Sequence, residues 1–217
     1  MKKLLIFDLD GTLLNTLTDL TNSVNFALRS FHIEEKSEEY VRKAIGNGVA
    51  KLIARCIDNG EDNPNYLDIL ACFRNHYKDH YLDNTVPYNN MEEVLIELKN
   101  HGYILAVVSN KIDEITKHLI NHHFPNIFSF IQGDTKSLNK KPHPDMVNHV
   151  LNELKINKED ACYIGDTNVD YETAMNSKMD VLLVTYGYRT KEEMKECKIS
   201  APSVDSVKEI SHYFISK

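Results

Sequence analysis

The chain has 217 residues, of which 42% are hydrophobic and 26% charged, and its formal net charge at pH 7 is −7. This composition is typical of a globular protein with a substantial core and excludes disordered and fibrous chains. The excess of acidic residues disfavours a broad surface for nucleic acid or anionic membranes, which requires a field of Lys and Arg. We therefore expect neither nucleic acid nor a membrane as a partner.

Targeting and disulfide signals give the expected location. The apolar stretch Leu4–Phe7 is far too short for a secretion signal, and no run elsewhere is long enough to span a bilayer. The four cysteines are scattered, without the paired spacing of a zinc site or a dense disulfide framework: Cys56, Cys72, Cys162 and Cys197. A reducing cytoplasm is the expected setting.

The first elements are a strand and a long helical segment. The apolar run Leu4–Phe7 stops at Asp8, which predicts a strand that is buried on both faces and ends in a polar loop. From about residue 15 to residue 85 apolar residues recur at helical spacing and predict four amphipathic helices. Thr16 and Asp19 predict a capping box at the start of the first helix.

The other three helices of this segment have their own start and stop signals. Ser37 is expected to open the second helix, which runs to Gly46, and the third spans about residues 49–57. Pro64 is expected to start the fourth helix, with Leu67 on its apolar face.

From about residue 86 onward, short apolar runs alternate with amphipathic helical patterns. The runs lie at residues 104–108, 128–131, 161–164 and 181–184. This alternation predicts an α/β fold, a doubly wound, Rossmann-like parallel sheet with right-handed crossovers. We therefore predict a core domain of residues 1–14 and 86–217 and an inserted all-α cap domain of residues 15–85.

Polar residues follow several predicted strands, at the sheet edge where ligands of parallel sheets bind. They include Asp8, Asp10, Ser109, Asn110, Asp166 and Asp170. Carboxylates at two strand ends and a hydroxyl at a third suit a hard cation beside an anionic ligand, which favours Mg²⁺ over zinc.

Each of these motifs alone has a simpler interpretation. An Asp-x-Asp is usually a turn, and Ser109 alone would cap a helix that begins near Asp113. Lys141 and Pro142 alone indicate a loop, with Pro144 starting the next helix. The joint occurrence of these motifs, in this order after predicted strands, is what favours a common site.

The joint pattern resembles the haloacid dehalogenase superfamily, mainly its phosphatases, over almost the whole chain. The matching motifs are residues 8–13, residues 107–110, Lys141 with Pro142, and residues 165–167 with Asp170. The helical insertion is similar to the first cap type of that family. Residues 141–144 and 44–48 are most similar to its phosphoglycolate phosphatase branch. Residues 15–16 and 176–179 differ from the residues usual in the family, although neither segment includes a position that the resemblance makes catalytic.

The resemblance implies Mg²⁺-dependent hydrolysis of a small phosphorylated metabolite, with phosphoglycolate as the leading substrate. It makes Asp8 the nucleophile that forms an aspartyl-phosphate, and Asp10 the group that protonates the leaving oxygen and then activates water. A free Asp titrates near about 4, so we expect Asp8 to be ionised at neutral pH, and the like charge beside it to raise the pKa of one member of the Asp8–Asp10 pair.

The same resemblance assigns the other site residues. Ser109, the backbone of Asn110 and the ammonium of Lys141 would bind phosphate oxygens. The metal ligands would be Asp8, the backbone carbonyl of Asp10, and Asp166. Asp170 would hold a metal-bound water or stabilise a helix N-terminus.

Other functions and other sites are open at this point. A phosphomutase, a pyrophosphatase or a phospho-accepting signalling module would use similar acidic residues. Dehalogenation of haloalkanoates is disfavoured because those relatives lack the carboxylate at the Asp10 position. Two histidine pairs at helical spacing, 76/80 and 118/122, fit exposed polar faces better than a metal site. Candidate contacts to the leaving group in the cap are Asn47, Lys51 and Arg55.

Overall fold

The computed structural model describes residues 2–216 and divides the chain into two compact units. The core unit comprises Met1–Leu14 and Pro87–Lys217, and the helical unit comprises Asn15–Val86. That the helical unit works as a cap stays a prediction. Within residues 2–216, no helix combines the length and the apolar character needed to cross a membrane.

The core unit contains a parallel sheet and its connecting helices, and two short strands lie where the chain passes between the units. The strands are β1 (Leu4–Phe7), β2 (Leu14–Asn15), β3 (Val86–Pro87), β4 (Ile104–Ile112), β5 (Phe130–Asp134), β6 (Ala161–Gly165), β7 (Asp180–Val184) and β8 (Ser203–Val204). The helices are α1 (Leu17–Ser30), α2 (Glu38–Ala44), α3 (Val49–Cys56), α4 (Tyr66–His80), α5 (Met91–Asn100), α6 (Asp113–His123), α7 (Asp145–Leu154), α8 (Asn168–Ser177), α9 (Lys191–Glu196) and α10 (Val207–Ile215).

Six strands form the main sheet in the order β5-β4-β1-β6-β7-β8, and all neighbouring pairs are parallel. Leu4 of β1 is in register with Ile104 of β4 on one side and with Ala161 of β6 on the other. All four residues of β1 are buried, as its uninterrupted apolar sequence requires for a central strand. The predicted α/β fold, with a doubly wound parallel sheet and a helical insertion, is confirmed.

The chain switches from one side of β1 to the other, because β4 and β5 follow on one side and β6, β7 and β8 on the other. Ligand sites in open α/β sheets lie outside the carboxyl ends of the strands at such a switch point. β1, β4 and β6 therefore define where a site is expected.

Strand boundaries differ from the prediction most at β4 and β5, and by one residue at β6 and β7. β4 continues past Val108 to Ile112, with an irregularity in its pairing with β5, so Ser109 and Asn110 lie in the strand. β5 spans Phe130–Asp134 instead of residues 128–131, and the ring of Phe128, before the strand, packs edge-on against Phe7.

In the helical unit, one predicted cap is present and one is wrong. The Ser37 hydroxyl accepts a hydrogen bond from the Tyr40 N–H and caps α2. Thr16 precedes α1 without a capping bond from its side chain. Asp19 does not bond back to Thr16; its carboxylate accepts hydrogen bonds from Asn84 and Thr85 instead.

The start of α4 is also corrected. The helix begins at Tyr66 and not at Pro64, because the Asn63 side chain accepts a hydrogen bond from the Asn65 N–H and holds these residues in a turn. Leu67 is 73% exposed instead of lying on the apolar face, since the buried stripe of α4 begins only at Ile69.

Candidate active site

Asp8 lies directly after β1, in the gap between the ends of β4 and β6. Its N–H donates to the Ile164 carbonyl at 2.9 Å and thereby continues the pairing of β1 with β6. Its side chain is buried, and the Lys141 ammonium lies 2.7 Å from its Oδ1. A carboxylate at the end of the central strand β1 is thus in direct contact with an ammonium, at the edge of the sheet where a ligand site is expected.

Three carboxylates meet at this point. Asp8, Asp166 and Asp170 each offer an oxygen within 4.8 Å of the other two, and all three residues are buried. Asp166 directly follows β6, and Asp170 lies in the first turn of α8. Because Lys141 supplies one positive charge to three acidic groups, the cluster has an excess of negative charge when they are ionised. Buried oxygen donors with excess charge fit a hard divalent cation, so these three carboxylates could hold a metal ion.

Asp166 is held in place by neutral donors and by close backbone packing. The Thr12 hydroxyl donates to Oδ1 at 3.0 Å, and the Tyr188 N–H donates to Oδ2 at 2.7 Å. A Cβ atom at Gly11 or at Gly187 would overlap the Asp166 side chain, and Gly11 has a φ of +87°. Glycine is therefore required at both positions for the loops to approach this carboxylate.

Asp170 has two roles in the structure. Its Oδ2 accepts from the Thr167 hydroxyl at 2.7 Å and from the Thr167 N–H at 3.0 Å, which closes a capping box at the start of α8. Its Oδ1 lies 2.8 Å from the Lys141 ammonium. The helix-stabilising alternative for Asp170 is thus observed, and its metal role stays a prediction.

The Asn110 side chain holds the backbone that carries Lys141. Its Nδ2 donates to the Lys141 carbonyl at 3.0 Å, and its Oδ1 accepts from the Lys141 N–H at 2.8 Å. The side chain of Asn110 therefore connects the end of β4 to the loop before α7. The expected contact of the Asn110 backbone with phosphate stays a prediction.

Burial dominates the electrostatics of the site. Burial, followed by the charge of Asp170, raises the pKa of Asp8 to about 7, although Lys141 opposes this change. Burial also raises the pKa of Asp166 well above its ordinary value. Burial alone would lower the pKa of Lys141, but the charges of Asp170 and Asp8 raise it well above its ordinary value.

These directions correct the expectation that Asp8 titrates like a free aspartate. With a pKa of about 7, Asp8 is protonated in a large fraction of molecules at neutral pH. The charge of Asp10 is the smallest of the causes that raise it, so the expected repulsion within the Asp8–Asp10 pair is a minor contribution. A cation bound at the cluster would favour the ionised form.

Asp10 is paired with a lysine that the sequence interpretation did not assign. The Lys111 ammonium lies 2.8 and 3.1 Å from the two carboxylate oxygens of Asp10, and the lysine side chain is 4% exposed. Lys111 follows Ser109 and Asn110 in the polar end of β4, which was the available signal for it. This ion pair must open before Asp10 can protonate a leaving group.

Ser109 is buried at the end of β4, beside the central strand. Its hydroxyl accepts from the Lys111 N–H at 3.2 Å. α6 begins at Asp113 with Ile112 before it, so Ser109 does not cap that helix. Its predicted contact with phosphate stays a prediction.

The alternative ligand sets lie elsewhere. Among residues 2–216, the aspartate cluster is the only group of three side chains that meets the geometry of a metal site. Within the helical unit, the Nδ1 atom of His76 lies 3.0 Å from the Ser23 hydroxyl, and the Nδ1 atom of His80 lies 2.7 Å from the Asp83 carboxylate. Cys162 is a free thiol that is buried in β6.

The cap residues proposed to contact a leaving group have partners inside the helical unit. Arg55 donates to the Ala44 carbonyl and to Asn47 Oδ1, each at 2.6 Å. Lys51 lies 2.8 Å from Glu61. These contacts stabilise the turn between α2 and α3 and the end of α3.

A doubly wound parallel sheet with buried aspartates and a lysine at the carboxyl ends of its central strands defines the class: an α/β protein with a carboxylate site at the switch point of its sheet. The sequence model of the haloacid dehalogenase-like hydrolases matches residues 5–184. The chain belongs to this family. The prediction of a haloacid dehalogenase-type enzyme is therefore confirmed.

Curated relatives cover nearly the whole chain. The phosphoglycolate phosphatase of Aquifex aeolicus (strain VF5) is 30% identical over 215 residues, which are 98% of this chain and 99% of the relative. The phosphoglycolate phosphatase of Haemophilus influenzae (strain 86-028NP) is 34% identical over 197 residues, which are 86% and 87% of the two chains. The chain is thus phosphoglycolate phosphatase-like, as its motifs predicted.

Solved structures give the same result for the fold. A predicted phosphoglycolate phosphatase from Haemophilus somnus 129PT is similar with a TM-score of 0.88 at 28% identity, covering 100% of this chain and 98% of that one. A predicted phosphatase from Clostridium acetobutylicum is similar with a TM-score of 0.89 at 25% identity, covering 100% of both chains.

Proposed function

We propose that the protein hydrolyses a small phosphate monoester at the Asp8 cluster, with phosphoglycolate as the leading substrate. The observation that carries this proposal is the Lys141 ammonium that bridges Asp8 and Asp170 inside a buried group of three carboxylates. The names of the curated relatives support the choice of substrate.

The reaction would proceed in two balanced steps. Asp8 attacks phosphorus, the bond between phosphorus and the leaving oxygen breaks, and Asp10 gives its proton to that oxygen. Asp10 then takes a proton from water as the water oxygen attacks the aspartyl-phosphate, which releases inorganic phosphate and restores Asp8. Asp10 must first separate from Lys111 and take up a proton from solvent, because an ionised carboxylate has no proton to donate.

The phosphate-binding groups are those beside Asp8. Lys141 already contacts the Asp8 oxygen, so its ammonium is close to any phosphoryl group that this oxygen attacks. The buried hydroxyl of Ser109 and the backbone N–H of Asn110 would donate to the remaining phosphate oxygens.

We assign Mg²⁺ to the carboxylate cluster. Asp8, Asp166 and the backbone carbonyl of Asp10 would be its ligands, and Asp170 would hold one of its waters. When bound, Mg²⁺ offsets the repulsion between the attacking carboxylate and the anionic phosphate. The Thr12 hydroxyl, which donates to Asp166, would orient this carboxylate toward the metal.

We further propose that residues 15–85 form a cap that governs substrate choice, on a core of residues 1–14 and 86–217. The two crossings of the chain, β2 and β3, pair as a two-stranded sheet, and they are the natural hinges of such a cap. The expected partner is a small phosphorylated metabolite, and the expected location is the cytoplasm.

The experiment is phosphate release from a panel of monoesters that includes phosphoglycolate, with and without Mg²⁺. Asp8→Asn should lower kcat by about 10⁴-fold or more, as expected for loss of a nucleophile. Asp160→Asn is the matched control, because Asp160 pairs with Lys3 and precedes β6 at its opposite end.

Each outcome of this experiment decides between functions. Turnover that survives Asp8→Asn would contradict the mechanism. Stable one-for-one phosphorylation without release of phosphate would indicate a phospho-accepting signalling module instead. Transfer of the phosphoryl group within the substrate would indicate a phosphomutase.

A further inference from the structure

The Lys141 ammonium has a third neighbour besides its two aspartates. Its Nζ lies 2.7 Å from Asp8, 2.8 Å from Asp170 and 3.1 Å from the hydroxyl oxygen of Tyr163. An ammonium group has three N–H donors, so these three acceptors use all of them. The Lys141 side chain is 3% exposed, and solvent therefore cannot replace a lost acceptor.

The hydroxyl of Tyr163 is itself fixed in direction. Tyr163 lies in the middle of β6 with no exposed surface. Its O–H donates to the Val108 carbonyl at 3.0 Å, so its oxygen is left to accept from Lys141. The centroid of its ring is 5.6 Å from the Lys141 Nζ, which adds a cation–π contact.

The chemical type of this third acceptor suits the proposed reaction. A phenol titrates near about 10, so it is neutral at pH 7 and accepts a hydrogen bond without cancelling the positive charge of Lys141. A carboxylate in the position of this phenol would add to the excess negative charge of the cluster. When Asp8 carries a phosphoryl group, Tyr163 and Asp170 remain to hold the ammonium.

We propose that Tyr163 is a positioning residue whose hydroxyl holds the Lys141 ammonium against Asp8 during phosphoryl transfer. The inference rests on the proposed function of Asp8 and Lys141. In this role Tyr163 touches neither substrate nor metal, and it acts only through Lys141. Its hydroxyl links the middle of β4 and of β6 to the loop that carries the lysine.

The test compares two tyrosines. Tyr163→Phe keeps the ring and removes the hydroxyl. Tyr103→Phe is the matched control, because the buried Tyr103 hydroxyl also donates to a backbone carbonyl of the core unit, that of Phe214, at 2.7 Å. Both variants should lose a similar number of degrees in melting temperature. Tyr163→Phe alone should lower kcat, by about 10- to 100-fold, with a smaller change in KM.

A second background separates positioning from a general structural role. If Tyr163 acts through Lys141, Tyr163→Phe should change kcat little when it is added to Lys141→Met. A full kcat for Tyr163→Phe would overturn the proposal. The same fold-loss in the wild-type and Lys141→Met backgrounds would overturn it as well.

The inference remains testable if the proposed function fails. Wild-type protein that turns over no monoester would contradict the proposed function alone. Crystal structures of Tyr163→Phe and Tyr103→Phe would then test whether Tyr163 positions the Lys141 ammonium. Lys141 should leave hydrogen-bond distance of Asp8 or Asp170 only in Tyr163→Phe, and unchanged contacts in that variant would overturn the positioning role.

Discussion

Two buried aspartates, one in each unit, have opposite surroundings. Asp19 of the helical unit is 1% exposed, and its carboxylate accepts from the N–H and side-chain amide of Asn84 and from the N–H and hydroxyl of Thr85, at 2.8–2.9 Å. Asp8 of the core unit is 7% exposed, accepts from the Lys141 ammonium, and has two further carboxylates within 4.8 Å.

The difference shows what makes a buried carboxylate structural. Neutral donors satisfy Asp19 and attach residues 84 and 85 to α1, so this charge needs no further partner. The Asp8 cluster has more negative charge than its donors balance, so it favours protons or cations. Burial is similar at both positions, and the balance of charge distinguishes them.

Among the tests of this comparison, Lys141→Met has the largest expected effect, which is on catalysis. Removing the ammonium leaves three carboxylates without their counter-charge and a phosphoryl group without a cationic donor, so kcat should fall by about 10³-fold. Phosphate-release kinetics of the wild type and Lys141→Met measures this loss of kcat. Lys140→Met is the matched control, because Lys140 is the neighbouring residue and pairs with Asp134 on the surface. An equal loss in both variants would contradict the assignment.

The second prediction concerns pH and metal. Because the pKa of Asp8 is raised to about 7 in the folded protein and is near about 4 in the unfolded chain, the folded state binds the extra proton between these values. The free energy of unfolding of the metal-free protein should therefore fall, relative to Asp8→Asn, as the pH rises from about 4 to about 7.

Denaturant titrations of both proteins at several pH values measure this difference. Comparison with Asp8→Asn removes the contribution of His76 and His123, whose lowered pKa values act in the opposite direction. Mg²⁺ added above pH 7 should stabilise the wild type more than Asp8→Asn. If the free energy of unfolding has the same pH dependence in the two proteins, or if Mg²⁺ has no effect, the result would contradict an excess of negative charge at the Asp8 cluster.

The third prediction concerns Asp19, the carboxylate whose hydrogen-bond partners are neutral donors. Asp19→Ala leaves buried donors of Asn84 and Thr85 without their acceptor and should lower the free energy of unfolding by about 2–3 kcal/mol. Mg²⁺ should stabilise this variant as much as the wild type, in contrast to Asp8→Asn. Asp58→Ala, at an exposed position of the same unit, is the control. A loss of the Mg²⁺ effect in Asp19→Ala would contradict the distinction between the Asp19 carboxylate and the Asp8 cluster.

The smallest effect expected is on a helix cap. Ser37→Ala removes the acceptor for the Tyr40 N–H at the start of α2 and should cost about 1 kcal/mol of stability, independently of Mg²⁺. Ser30→Ala, at the exposed end of α1, should change stability by less than about 0.5 kcal/mol. Chemical denaturation checks both, and an equal cost would show that the cap contributes little.

Local patterns predicted most of the core unit correctly, because strands and helices of this kind depend on neighbours in the chain. The uninterrupted apolar run Leu4–Phe7 is a central strand, as its composition requires. The cap at Ser37 and the start of α6 at Asp113 are likewise local. Short segments without a clear apolar period, such as β8 and α9, had no comparable signal.

Where a distant segment supplies the partner, the local pattern was misleading. Thr16 and Asp19 have the spacing of a capping box, but Asp19 binds Asn84 and Thr85, which are 65 and 66 residues away. A distant segment also supplies a partner of Asp10 that its spacing from Asp8 does not indicate, because Lys111, 101 residues away, forms an ion pair with it.

By itself, the sequence determined the order of strands and helices and placed Asp8, Lys141 and Asp166 after or between them, because hydrophobic periodicity and the residues that end strands and helices are local properties. Only the tertiary structure decided which charges meet, how deeply they are buried and therefore how they titrate. Tyr163 illustrates this division: its place in an apolar run identifies it as a core residue, and the packing of β6 beside the Lys141 loop brings its hydroxyl to the ammonium. The free energy of a charge depends on the polar groups and solvent around it in space, which sequence spacing does not specify.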